Sequence, residues 1–154
     1  MPKDTGIGAS SKRREDVRFL TGNGRYTDDI NIYGQTYVHF LRSDVAHGRI
    51  ASIDTSAAES MPGVVRVFPG KDFEGIGGLP CGWMVTDKQG QPMKEPAHPV
   101  LAQGKVRHVG DPIAAVVAES LAEARDAAEA IMVDIEELPA VVDMKKALES
   151  GASK

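Results

Sequence analysis

Hydrophobic positions change period several times along the chain, and each change predicts an element. Residues 36–42 (TYVHFLR) concentrate β-branched and aromatic side chains, while 49–54 (RIASID) alternate, setting Ile50 and Ser52 opposite Ala51 and Ile53. Both patterns predict strands. Ser56-Ala57-Ala58-Glu59 has capping-box spacing, in which the hydroxyl accepts from the N3 amide and the carboxylate returns to the cap amide, so a short helix should start there. Pro62-Gly63 ends it, because proline lacks the donor and glycine tolerates positive φ, and 64–68 (VVRVF) forms a third strand. Residues 105–109 (KVRHV) and 113–118 (IAAVVA) read as strands around the turn Gly110-Asp111-Pro112, the second being the more buried. Ser120-Leu121-Ala122-Glu123 repeats the capping box, and Leu121, Ala124, Ala128 and Ile131 then share one helical face. A strand over 132–135 follows, Pro139 stops it, and 144–148 starts a final helix. Strand, helix, strand behind a hairpin-like front half favours an α+β fold, a mixed β-sheet with a few helices packed on it, over a doubly wound parallel one.

Between these elements, 69–104 carries only brief apolar runs and reads as an irregular excursion. Loops of this length without secondary structure are uncommon, and are usually functional, disordered or docked on something else. Trp83 within it either anchors a partner surface or packs back onto its own domain, as tryptophans commonly do.

Composition narrows the class. A chain of 154 residues with 42% hydrophobic and 26% charged residues fits one globular domain, able to bury a core without disulfides or metal. The single Cys81 can close no internal bridge and form no zinc site, so nothing points to an oxidising compartment, and a cytoplasmic setting is expected. No apolar run is long enough to span a bilayer, and the opening MPKDTGIGASSKRRED lacks a signal-peptide core. Seven of the nine prolines and nine of the sixteen glycines fall between Pro62 and Pro112, which makes the middle turn-rich and the end regular.

Charge is uneven: +2 over residues 1–50, −1 over 51–112 and −5 over 113–154. Nucleic-acid binding needs a net basic face, and the one basic cluster, Lys12, Arg13, Arg14 and Arg18, is interrupted by Glu15 and Asp16. A solvated or partner-facing arm is the better reading.

Residue types alone give little chemistry. Gly6-Ile7-Gly8 and Gly22-Asn23-Gly24 resemble pieces of nucleotide loops, but neither completes G-x-G-x-x-G or follows a clear strand. His39, His47, His98 and His108 lack metal-ligand spacing. Ser43, Asp44 and His47 could be assembled into a triad, yet triads are defined by geometry and chain neighbours seldom converge. Asp28-Asp29 and Glu136-Glu137 are adjacent carboxylates whose side chains point to opposite faces when extended. Arg125 and Glu129 form an i, i+4 surface pair.

The specific signal is a resemblance. Residues 8–30 (GASSKRREDVRFLTGNGRYTDDI), Leu41-Arg42-Ser43 with Ala46-His47-Gly48-Arg49-Ile50, Ile53-Asp54, Met61-Pro62-Gly63-Val64, 106–114 (VRHVGDPIA) and 136–141 (EELPAV) resemble, in order, the opening blocks of the molybdenum-binding large subunit of the xanthine dehydrogenase and aldehyde oxidase family. Nearly the whole chain is covered, and the blocks from Leu41 onward are similar to successive blocks of that family's α/β hammerhead domain, with 136–141 resembling its closing block. Gly48 departs from the alanine expected there, a small-for-small change. The excursion with Leu79-Pro80-Cys81-Gly82-Trp83 and Glu95-Pro96 resembles carbon monoxide dehydrogenase large chains most.

The resemblance implies a parent oxidoreductase that hydroxylates a carbon centre with water-derived oxygen, or oxidises carbon monoxide, at a molybdenum–molybdopterin cofactor. Iron–sulfur clusters and FAD on partner subunits or domains would take the electrons. It further implies a division into an N-terminal arm (1–25), the hammerhead domain (26–143) and the start of a linker (144–154) to a molybdenum-binding domain that carries the pterin contacts and active-site glutamate. No catalytic, cofactor-binding or metal-binding residue is therefore expected here. Arg13, Arg14, Arg18 and Phe19 of the arm, with Trp83, are the expected contacts to that domain and to the iron–sulfur and flavin subunits; no nucleic acid or membrane is expected as partner. The alternative is a free-standing, non-catalytic binding module with the same fold.

Overall fold

The computed structural model describes residues 6–10, 12–80 and 82–152; Cys81 lies outside them. The described residues form two compact units divided between Gln35 and Thr36. The first holds helix α1 (Asp16–Leu20) and a 3-10 turn (Thr27–Asp29), and none of its described residues is buried.

The second unit contains β1 (Tyr37–Arg42), β2 (Gly48–Asp54), α2 (Ser56–Glu59), β3 (Val64–Pro69), β4 (Lys105–Val106), β5 (Pro112–Ala118), α3 (Leu121–Glu129) and β6 (Met132–Glu137). The class is α+β as the pattern predicts. The sheet is divided, however: β1-β5-β3 form one three-stranded sheet and β4-β2-β6 another, with every pairing antiparallel. The expected parallel component is missing because the strand-helix-strand unit sends β5 to one sheet and β6 to the other.

Helix α3 holds the core. Ala124, Ala127 and Ala128 are buried, and the last two cluster with Ala58, Val67, Ala114, Val116 and Ile131. The apolar face is thus Ala124, Ala127 and Ala128, whereas Leu121, expected on it, is exposed. Ser120 caps the helix as its spacing predicts, accepting from the Glu123 amide at 3.2 Å, while its hydroxyl donates to the Glu123 carboxylate at 2.7 Å. A second cluster, Ala102, Val106 and Ile113, packs against Ile50 and Ile135, and Ile53 and Val133 touch both clusters. Ile53 and Val133 are partly buried, so each contributes less than the roughly 1.5–3 kcal/mol of a fully buried side chain, but contact with both clusters makes them tie the two sheets together.

Four local expectations change. Ile50 and Ile53 both turn inward, because the β2–β6 register shifts between Ile50 and Ser52; the extra residue of a bulge resets the alternation. At α2 the N-cap is Thr55, not Ser56: the Asp54 carboxylate accepts from the Ser56 amide at 3.0 Å, and the Thr55 hydroxyl donates to Glu59 at 2.7 Å. Hydrogen bonds from the Ser56 side chain and amide hold the Asp54 carboxyl below its ordinary value. The strand expected over 105–109 stops at Val106, since the Arg107 amide donates to the Asp111 carboxylate at 2.9 Å instead of to a strand neighbour. Residues 144–148 give only a 3-10 turn, Lys146–Leu148, with Met144 and Leu148 exposed; a short helix without a packed face does not sustain itself.

The excursion leaves β3 and returns to β4 through successive closures. A Cβ on Gly70 would strike the Ala102 carbonyl, so only glycine permits the two ends to approach. Further out, the Leu79 amide donates to the His98 carbonyl at 2.7 Å, and Thr86 bridges Pro92. The loop is closed in tiers while nearly all residues from 74 to 98 stay exposed.

Overpacking the alanine contact is the direct test. Ala128→Leu forces α3 away from its sheet and should destabilise the chain by about 1–3 kcal/mol, read as a fall in Tm of several degrees; an unchanged Tm would contradict the packing.

Candidate functional site

The blocks at 41–50, 106–114 and 136–141 converge on one corner of the second unit. The Ser43 amide donates to the Asp111 carbonyl at 2.9 Å, the Gly110 amide to the Ser43 carbonyl at 2.7 Å, and Arg42 Nη1 to the Gly110 carbonyl at 2.9 Å. These bonds lock the β1–β2 connection to the turn before β5. Asp111, 7% exposed, holds that turn from inside through the Arg107 amide, and its carboxylate lies 3.9 Å from His108 Nδ1. On the other side His47 is pinned to the end of β6: its Nδ1 lies 2.8 Å from the Pro139 carbonyl, and the Leu138 amide donates to the His47 carbonyl at 2.9 Å. Clefts of about 350 Å3, containing Ala46, Val109 and Val141, and about 130 Å3, containing Pro96 and His98, flank Arg107 and His108.

This corner is built for shape. The Ser43 hydroxyl is 3% exposed and spent on Val45, donating to its carbonyl and accepting from its amide, so it is no nucleophile and does not join Asp44 and His47 in a triad. His98 and His108 meet edge-on with ring centroids 6.5 Å apart, and His39 sits in β1. Among the described residues no group of three or more His, Cys, Asp or Glu could hold a metal ion. Asp29 accepts from the Tyr26 amide at 2.9 Å and so supports a 3-10 turn, and Glu136 makes an exposed contact with Arg49 at 3.8 Å. Arg125 and Glu129 close no ion pair; among the described residues those are Arg13–Asp16, Arg49–Glu136 and His108–Asp111.

The glycine motifs of the arm are turns. The Asn23 amide donates to the Arg18 carbonyl at 2.8 Å and the Gly22 amide to Phe19 at 3.1 Å, with Gly22 at φ 73°: a Schellman end to α1, which glycine adopts without penalty. Gly24 leaves room for the Phe19 ring, whose Cδ1 would lie 2.6 Å from a Cβ there. That ring stacks on Tyr26 at 5.4 Å and carries the Arg18 guanidinium at 5.1 Å.

Of the expected contact residues, Arg13, Arg14 and Arg18 are exposed, with Arg13 3.9 Å from Asp16, and Phe19 is half-buried. Trp83 is 80% exposed. Val17 and Leu20, within the 13–20 stretch, are exposed as well, and so are Ile32 and Tyr33 further along the first unit, which the sequence reading missed; apolar residues scattered in a charged, coreless stretch were the available signal. At Gly48 the small-for-small view is too generous, since a Cβ there would collide with Ile135 Cγ2 and lie 3.1 Å from the Glu136 carbonyl.

Residues 21–139 match the family model described as "Aldehyde oxidase and xanthine dehydrogenase, a/b hammerhead domain". The chain is 41% identical over 145 residues to the nicotine 6-hydroxylase large subunit of Paenarthrobacter nicotinovorans, covering 94% of this chain and 17% of that one. It is 40% identical over 147 residues to the carbon monoxide dehydrogenase large chain of Afipia carboxidovorans, covering 96% and 17%. Among solved structures, quinoline 2-oxidoreductase from Pseudomonas putida 86 superposes with a TM-score of 0.78 at 44% identity, over 97% of this chain and 18% of that one. The chain thus spans about a sixth of the length of these relatives.

Two substitutions test the corner. Asp111→Ala strands the Arg107 amide and should cost about 1–3 kcal/mol, with Asp111→Asn recovering part by restoring an acceptor; equal Tm values for all three would refute the role. Gly48→Ala should lower Tm through its clash with Ile135, by about 1–3 kcal/mol in equilibrium unfolding, and a neutral result would show that β6 yields freely.

Proposed function

The chain belongs to the aldehyde oxidase and xanthine dehydrogenase α/β hammerhead domain family, and from that premise we propose that it serves as the N-terminal structural domain of a molybdenum-containing hydroxylase or dehydrogenase large subunit. The observation that carries this is the match across 97% of the chain to only 18% of an oxidoreductase chain. A domain that is one part of such a chain in its relatives is read as a part here.

In this reading the parent oxidises an aldehyde, an N-heterocycle or carbon monoxide, with water as oxygen source. The molybdenum–molybdopterin group would supply the two-electron chemistry, and iron–sulfur and FAD subunits would take the electrons away. In this reading that chemistry belongs to the remainder of the parent subunit, and no step of the reaction is assigned to this segment. Its work is positional: cofactors carry the hard chemistry while the surrounding protein orients and encloses them. The arm at 13–20 and the Trp83 loop are the proposed contacts. The stretch 13–20, with no buried residue but with exposed Val17 and Leu20, gains most from covering a neighbour, since apolar patches mark interaction sites. No helix among the described residues is long and apolar enough to cross a membrane, and a cytoplasmic complex fits the single-cysteine composition.

The intact mass of the polypeptide made in its native host tests this reading against a free-standing module. A polypeptide several hundred residues longer, purifying with molybdenum by elemental analysis, is expected, with no turnover and no molybdenum in the isolated 154-residue chain. A natural polypeptide that stops at 154 residues would overturn it.

A further inference from the structure

The sheet β1-β5-β3 has two faces, and α3 covers one. On that side Leu41, Ala114, Val116 and Val67 enter the core. The opposite face is set by the register: Val38 pairs with Val117, which pairs with Arg66, and Phe40 pairs with Ala115, which pairs with Phe68. An antiparallel sheet with one wet face ordinarily carries polar residues there. Here Val38 is 49% and Phe40 39% exposed, Val117 and Phe68 are half-buried, and Ala115 lies buried beneath them, so the row is apolar throughout.

Its relief and charge are specific. Ala115 is the floor between the rings of Phe40 and Phe68, on strands two spacings apart, about 10 Å, which admits one side-chain row. The Phe68 wall is braced by Phe73, ring centroids 6.1 Å apart. The Arg42 guanidinium lies over Phe40 at 5.8 Å and that of Arg66 over Phe68 at 4.9 Å. Neither takes part in an ion pair among the described residues, and Arg42 spends one donor on the Gly110 carbonyl. A planar guanidinium held over a ring keeps its forked donors for a carboxylate.

We propose that this face is the seat of an apolar segment bracketed by Asp or Glu side chains, supplied by the rest of the same large subunit; this rests on the reading that the chain is one domain of such a subunit. The groove takes the apolar residue, and the two guanidiniums take the flanking carboxylates. A second copy of this face is a poor occupant, because two-fold pairing would set four arginines against one another. The matched relatives are about six times longer than this chain, so the surface available to cover it lies mostly within one polypeptide.

A photo-crosslinking residue, p-benzoylphenylalanine, replacing Phe40 in the native-length polypeptide within its purified complex, tests the seat. The expected product joins position 40 to a segment of the same polypeptide beyond residue 154, with Asp or Glu within a few positions of the joined residue. A crosslink to another subunit, to a second copy, or to nothing, in a polypeptide shown to be longer than 154 residues, overturns the seat while leaving the domain reading intact; a polypeptide of 154 residues overturns both. Arg42→Gln with Arg66→Gln should lower the crosslink yield about tenfold, the loss of charged pairs at an interface. If the arginine-to-glutamine protein keeps its circular dichroism spectrum and its full yield, the carboxylate bracket is refuted.

Discussion

The contact between the alanine face of α3 and the β1-β5-β3 sheet is what the rest of the second unit depends on. Ala124, Ala127 and Ala128 are so small that the helix lies almost against Ala114 and Val116, and all five are buried. Close approach brings the helix end, at Ile131, into the same cluster. The chain then leaves at an angle that carries β6 away from β5 into the second sheet. Ile53 and Val133 fill the junction between the sheets. A leucine in place of any of these alanines would need room that a core packed to crystal-like density does not have.

Because the core closes on itself in this way, the surfaces left over acquire meaning. The excursion is pinched at Gly70 and Ala102 and held again at Leu79 and His98, so it projects with local order while burying little. The first unit is ordered by its own devices, the Schellman end of α1 and the stack of Phe19 on Tyr26, with none of its described residues buried. The outer face of the first sheet shows the same imbalance, with phenylalanines and valines where a solvated sheet would place polar residues. Each leaves apolar side chains in water that the core itself does not use, and these are the surfaces on which the proposed contacts rest.

What could be read from the sequence was what local chemistry decides. Ser120 and Glu123 cap α3 because both partners lie within one turn, and 37–42 and 64–69 are strands because their own residues favour it. At Ser56 the same motif yields, since the Asp54 carboxylate takes the Ser56 amide and the Thr55 hydroxyl occupies the Glu59 carboxylate. Ala127 fell off the expected face because that face was aligned on Leu121, the larger apolar residue, whereas the buried stripe runs through Ala124, Ala127 and Ala128 and leaves Leu121 exposed. The division into two sheets and the convergence of Ser43 with Asp111 depend on pairing between distant segments, which periodicity does not encode. For the proposed contact surface, Trp83 and the arm's arginines were legible as residue types. The face of Val38, Phe40 and Phe68 was not, because strands buried on both sides and strands awaiting a partner have the same alternation until the register is known.

Hydrogen–deuterium exchange on the isolated 154-residue chain, compared with the same residues inside the native-length polypeptide, bears most directly on the claim that this is a self-sufficient core with surfaces meant for a neighbour. Amides of β5 and α3 should be protected equally in both, while those of the arm at 13–20 and the outer strand β1 gain protection only in the longer polypeptide. Equal exchange of the arm and β1 in the two forms, or a core that is protected only in the longer one, would contradict it.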